Sequence, residues 1–179
     1  MGVISMAIYQ YGDRVPRIGR CVYVSDSARV IGDVVIGDEC YIGHGAILRG
    51  DYGSIRLGAG TAVEENAVIH IRPDGLSVCG ERVTIAHGAI IHGDRIDDFA
   101  VIGMGAVIGM HVVIGKWTII GEGAVLPNNT SIDAEKIVAG VPGKVIGDVE
   151  ARHKEFWAWG KQLYVDLARS YQEKLKRLD

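Results

Sequence analysis

The chain has 179 residues, 48% hydrophobic and 23% charged, with a formal net charge of -3, which suits one globular domain and offers no basic face to nucleic acid. No run of about 18 apolar residues is present to span a membrane, and the first ten residues lack the charged-then-apolar order of a signal peptide. The cysteines Cys21, Cys40 and Cys79 are odd in number and widely spaced, so no disulfide framework is expected and a reducing, cytoplasmic setting is.

Glycine is the outlier, with 25 residues where a typical chain of this length has about half as many. Glycine in such number beside abundant Val and Ile implies many tight turns joining short buried strands. In chain order, aliphatic residues first fall six apart at Val24, Val30, Ile36, Ile42 and Leu48. Asp51–Ile55 then shifts the register by one, and Ile71–Arg82, with Pro73, Asp74 and Gly75, interrupts it more heavily. The step of six resumes at Ile96, Ile102, Ile108, Ile114, Ile120, Leu126 and Ile132, with Gly after the aliphatic residue at 103, 109, 115 and 121. A helix needs apolar residues three and four apart, which a strict period of six does not sustain. One strand plus one turn per hexad does fit. Three hexads close a triangular coil of about 18 residues, and Val24 to Ile132 makes roughly six coils. The breaks are expected to form loops, and loops often border sites.

The repeat ends at Ala139–Val145, which divides the chain into a solenoid over 1–147 and a helical tail over 148–179. Phe156, Leu163, Leu167, Tyr171, Leu175 and Leu178 fall at helical spacing and predict the face that packs on the solenoid or on a neighbouring subunit. Trp157, Trp159 and Tyr164 are expected to be packing residues.

Three of the six histidines, His70, His87 and His92, lie close together in sequence, each two residues after an aliphatic position. Neutral imidazole is a common ligand for Zn²⁺ and similar ions, and three imidazoles with one open position form a catalytic arrangement. His70 and His92 are one coil apart once the interruption is absorbed, so they can stack on one face. His87 lies about one face earlier and points to another edge of the prism. A threefold homotrimer resolves the conflict, with His70 and His92 of one copy meeting His87 of the next. His44, His111 and His153 are expected to be solvated or structural.

The segment Leu48-Arg49-Gly50-Asp51, the strand Val63 to His70, the segment Ile85-Ala-His87-Gly-Ala-Ile-Ile-His92-Gly and the exit Ala139 to Lys144 resemble the γ-class carbonic anhydrase family, including its ferripyochelin-binding-like relatives. The resemblance covers nearly the whole chain. It implies a left-handed parallel β-helix with a C-terminal helix. It implies His70, His87 and His92 as ligands of Zn²⁺, or of Fe²⁺ or Co²⁺, and Arg49 and Asp51 as an intersubunit ion pair beside the metal. Glu64 and Glu65 stand where the family usually has Gln-Asp, and both are candidates for the catalytic set. The loop usually carrying a proton-shuttle Glu offers only Asp74, and Tyr52 follows Asp51 where the best-studied members have Glu. The implied activity is reversible hydration of CO₂ to bicarbonate. Two other readings stand beside it. One is a hexapeptide acyltransferase, which shares the coil but normally uses one catalytic His. The other is a metal-binding scaffold trimer without turnover.

Overall fold

A short strand and a turn repeated every six residues can bury their aliphatic side chains only by coiling. The computed structural model, which describes residues 7–178, is a left-handed parallel β-solenoid with three faces and one helix laid along it. The first face stacks Ile8–Tyr9, the first half of Arg29–Ile36, the first half of Ile47–Leu57, Val68–His70, Ile90–Ile91, Val107–Ile108 and Val125–Leu126. The second stacks Arg17–Ile18, the second halves of the two long strands, Leu76–Cys79, Arg95–Ile96, Val113–Ile114 and Ser131–Ile132. The third stacks Tyr23–Val24, Tyr41–Ile42, Ala62–Val63, Thr84–Ile85, Val101–Ile102, Ile119–Ile120 and Lys136–Ala139. Each face therefore carries seven strands, one coil more than the hexads from Val24 onward predict. Ile8–Tyr9 and Arg17–Ile18 form the additional coil, in a stretch where the aliphatic spacing is irregular. At the far end, Lys144–Asp148 turns back antiparallel on Lys136–Ala139 and covers that open edge.

The interior consists of ladders. Ala28, Ala46, Ala67, Ala89, Ala106 and Ala124 have no exposed surface, and neither do Ile42, Val63, Ile85, Ile102, Ile120 and Val138. Each fully buried aliphatic side chain contributes about 1.5–3 kcal/mol. The glycine after the aliphatic residue serves coil-to-coil approach rather than the turn. A Cβ on Gly103 would lie 2.7 Å from the backbone nitrogen of Glu122 in the next coil. The left-handed residue of the turn comes two places later, at Gly105 (φ +66) and equivalently at Glu39, Asn66, His111 and Trp117.

The register breaks are insertions. Gly32 pairs with Gly50 while Val34 pairs with Ile55, so Asp33 alone faces the four residues Asp51–Ser54. This is a wider shift than the single residue expected there, because Leu57 and not Ile55 is the partner of Ile36, so the second-face position falls nine residues after Leu48 where Ile36 falls six after Val30. The second break is a compact turn at Arg72–Gly75, after which Leu76–Cys79 rejoins the sheet.

The helix spans Ala151–Lys174 and packs on the third face. Its buried residues are Lys161, Val165 and Ala168, and Tyr164, Leu167 and Tyr171 pack against Tyr23, Tyr41 and Ala62. The predicted stripe is thus only partly the contact face. Leu167 and Tyr171 take part, whereas Phe156, Leu163, Leu175 and Leu178 are exposed, as is Trp159. The reason lies in Lys161, which hydropathy assigns to solvent. Its ammonium is instead satisfied at 3.0 Å by both Thr84 Oγ1 and the Ala100 carbonyl, and this turns the helix toward its small residues. Among the described residues no helix is long and apolar enough to cross a membrane.

Candidate metal centre

The first cluster forms where the chain leaves the first face. Arg49 is in register with His70, and Ile69 is in register with Ile91, so Arg49, His70 and His92 stand on successive rungs of one corner. The turn Arg72–Gly75 absorbs the extra residues that bring the two histidines together. His70 Nδ1 lies 2.8 Å from His92 Nε2, and an Arg49 guanidinium nitrogen lies 2.9 Å from His70 Nε2. A guanidinium only donates, so His70 Nε2 accepts, and Nδ1 carries the proton that His92 Nε2 accepts. Burial, then the Arg49 charge and the neighbouring His92 ring, hold the His70 pKa below its ordinary value, which favours the neutral ring a metal needs. Arg49 also pairs with Asp51 of its own chain at 3.2 Å, and Asp51 lies 3.9 Å from His70 Nε2.

The donor chemistry fits a divalent cation. Two imidazole nitrogens face one point now bridged by a proton. Tetrahedral Zn²⁺ with Zn–N of about 2.0–2.1 Å needs its ligand nitrogens about 3.3 Å apart, so a parting of roughly half an ångström would seat it.

His87 occupies a different corner, in the turn after Thr84–Ile85. Both ring nitrogens meet carboxylates, Nε2 at 3.1 Å from Glu64 Oε2 and Nδ1 at 2.7 Å from Glu65 Oε2. Glu64 is 4% exposed, and burial pushes its pKa up, against hydrogen bonding from Tyr164 and the charge of His87. For Glu65 burial acts the same way, but hydrogen bonds, first among them that from Tyr41, bring its pKa below the ordinary value. The Tyr41 hydroxyl donates to Glu65 Oε1 at 2.7 Å. A cavity of about 210 Å³ opens beside this corner, lined by Glu64, Thr84, His87, Met104, Trp157 and Tyr164 among others. Lys161 lies behind Thr84, and burial pushes its amine down to about 7 against the favourable charge of Glu64.

The sequence-predicted residues therefore divide between two corners: Arg49, Asp51, His70 and His92 at one, Glu64, Glu65 and His87 at the other. Among the described residues no three His, Cys, Asp or Glu side chains converge on one point within the chain. Tyr52 packs edge-on against Tyr11, and its carbonyl accepts from the Asp74 N–H. The remaining histidines hold local structure. His44 bonds Ser25 Oγ at 2.6 Å, His111 meets Asp94 at 3.3 Å, and His153 accepts from the Glu150 N–H at the helix start. Sequence reasoning missed Tyr41 and Lys161 and took Tyr164 for packing alone. The repeat gives no signal for these three, because their roles arise only when the helix closes over the third face.

Residues 16–50 match the family described as bacterial transferase hexapeptide (six repeats). The chain is 32% identical to gamma carbonic anhydrase 2, mitochondrial, of Arabidopsis thaliana over 87% of its own length, and spans 58% of that protein. It is 38% identical to a "Probable carbonic anhydrase" of Methanocaldococcus jannaschii, covering 74% of this chain and 83% of that one. Among solved structures, a hexapeptide transferase family protein from Anaplasma phagocytophilum superposes with a TM-score of 0.82 at 28% identity, over 93% of this chain and 98% of that one. With this similarity spread along the solenoid, the chain belongs to the γ carbonic anhydrase family of hexapeptide-repeat proteins.

Proposed function

We propose that the chain assembles as a homotrimer in which His70 and His92 of one subunit and His87 of the partner subunit hold a divalent metal, Zn²⁺ or else Fe²⁺ or Co²⁺, and that the site hydrates CO₂ reversibly to bicarbonate. The observation that carries this reading is the split of the histidines. Two imidazoles converge at 2.8 Å on one corner, and the third stands on another with its Nε2 turned to a carboxylate. A rotation of one copy about a threefold axis is what brings unlike corners together at three equal interfaces.

When bound, such a metal lowers the pKa of a coordinated water and supplies a nucleophile for CO₂ at neutral pH. The protein's own groups do the rest. With Nδ1 given to the metal the His70 proton would sit on Nε2, where Asp51, 3.9 Å away, is the nearby acceptor, and Arg49 holds Asp51 in place. Met104, Trp157 and Tyr164 give the cavity an apolar wall suited to an uncharged linear substrate. Glu64 Oε2, beside His87 Nε2, accepts the proton released when water adds to CO₂ and returns it to solvent through the cavity.

The test is metal content and particle size, then stopped-flow CO₂ hydration on Zn²⁺- and Fe²⁺-loaded protein. A trimer with one metal per chain and a rate above buffer is expected. A metal-loaded trimer with no rate above buffer would reassign the protein as a metal-binding scaffold. The acyltransferase reading has the Anaplasma neighbour in its favour. Acetyl-CoA binding by a protein that takes up no metal would put it first.

A further inference from the structure

We propose that Tyr41 and Glu65 form a positioning pair that fixes His87 as the Nδ1–H tautomer and so leaves Nε2 as its free electron pair. The inference rests on the reading of His87 as a ligand only for its consequence; the tautomer itself belongs to the chain alone.

Tyr41 is the first residue of the third-face strand Tyr41–Ile42. It is 2% exposed, stacks on Tyr23 with centroids 5.4 Å apart, and is closed in by Tyr164 at 5.3 Å and Tyr171 at 5.8 Å. A ring held on three sides has one place for its hydroxyl. Burial and the Glu65 carboxylate raise the phenol's pKa, so it stays protonated and acts toward Glu65 as a donor. It donates to Glu65 Oε1 at 2.7 Å, which settles where the second oxygen goes: Oε2 lies 2.7 Å from His87 Nδ1. An ionised carboxylate only accepts, so Nδ1 carries the hydrogen. In a neutral ring Nε2 is then the unprotonated nitrogen, and it faces Glu64 Oε2 at 3.1 Å. Two electron-pair donors at that distance call for a positive centre between or beside them, a proton or a cation. A carboxylate behind a ligating imidazole is a general device for setting ring orientation and basicity. Here a buried tyrosine in turn holds the carboxylate.

The choice of Glu has a geometric basis. The Glu65 side chain must span from the Tyr41 hydroxyl at the helix side to the His87 ring at the solvent side, where the histidine is 46% exposed. The longer arm reaches both partners with one carboxylate.

The experiment combines two readouts. The first is the ¹⁵N resonance pattern of His87 in metal-free protein at neutral pH. The second is Co²⁺ affinity by competition with a chelator. In the unaltered chain His87 is expected as the pure Nδ1–H tautomer. Tyr41→Phe keeps the ring but removes the anchor, and Glu65→Ala removes the acceptor. Both are expected to give mixed tautomers and to weaken Co²⁺ binding by about 10–100-fold. Glu65→Gln still offers an acceptor oxygen and is expected to stay within a few-fold of the unaltered protein. The inference is overturned if His87 shows the same tautomer in the unaltered chain, Tyr41→Phe and Glu65→Ala, or if the unaltered chain shows the Nε2–H form. Failure of the unaltered protein to bind Co²⁺ sinks the metal centre instead, while the ¹⁵N pattern still decides the positioning pair.

Discussion

His70 Nδ1 and His92 Nε2 lie 2.8 Å apart although 22 residues separate them, a coil that exceeds three hexads by four. Stretching the coil at Arg72–Gly75 brings the second histidine onto the rung beside the first. The shared proton sits where a ligand pair would place a cation. Removing either ring, by His70→Ala or His92→Ala, is therefore expected to lower Zn²⁺ affinity by more than about 100-fold, beyond the effect of losing an outer partner. Both rings lie outside the aliphatic ladders, so the metal-free melting temperature is expected to change little. In the unaltered protein, stripping the metal with a chelator is expected to lower stability by about 2.7 kcal/mol relative to Zn²⁺ held at a hundredfold excess over Kd. Calorimetry with and without chelator reads both effects. Equal Zn²⁺ affinity in the alanine variants would remove these rings from the site.

Glu64 is the only one of the two acidic residues at the His87 corner that is nearly sealed from solvent, with 5% side-chain exposure against 30% for Glu65. Its oxygen lies 3.1 Å from the ring nitrogen and the residue lines the cavity, which is where the proposed proton transfer would run. Glu64→Gln preserves shape and removes the basic oxygen. The expected result is a fall in kcat of roughly 10²–10⁴-fold with a smaller change in KM. High concentrations of an imidazole buffer are expected to restore part of the rate. A rate unchanged in weak buffer would assign proton transfer elsewhere.

The coil and its aliphatic ladders were legible because a period of six leaves few alternatives, and the two-corner split of the histidines followed from counting residues per coil. The seventh coil was hidden because Ile8 stands ten residues before Ile18, off the six-residue step that joins Ile18 to Val24. The helix contact face was misread for a different reason. Hydropathy ranks Phe156 and Leu163 above Ala168, but the flat third face accepts a helix through small residues and aromatic edges. Lys161 is the sharpest case. A lysine reads as solvent-facing in any pattern, and only the Thr84 hydroxyl and Ala100 carbonyl on neighbouring coils make its burial tolerable.

Lys161 gives the fold a pH dependence whose sign is fixed. Its amine is pushed down to about 7 in the folded chain, against about 10.4 when unfolded. Between those values the unfolded chain binds more protons, so stability rises with pH across that window. The charged groups acting on the amine are Glu64, which favours protonation, and Arg82, which opposes it. Lys161→Met keeps the volume and removes the titration. The variant is expected to lose this rise, on the order of a few kcal/mol, and to match or exceed the unaltered chain near pH 7. Urea unfolding at pH 7 and pH 9.5 gives the two slopes. Parallel behaviour of the two proteins would mean that the amine stays charged in the folded state.

The glycines of the hexad offer a test of what makes the coil close. Gly103 has an ordinary backbone conformation, but a Cβ there would meet the Glu122 nitrogen and the Gly121 carbonyl carbon, both at 2.7 Å. Gly105 has open space around its missing Cβ and a left-handed φ of +66. If coil spacing is the constraint, Gly103→Ala forces two backbones apart, with a cost at the upper end of the usual overpacking range of about 1–3 kcal/mol. Gly105→Ala then costs about 1–2 kcal/mol for the strained φ alone. Gly105→Asn is expected to cost less than Gly105→Ala, because asparagine tolerates that region and already occupies the equivalent place at Asn66. Urea midpoints of the three variants give the order directly. A Gly105→Ala more damaging than Gly103→Ala would mean that the turn, and not the approach of adjacent coils, selects glycine in this repeat.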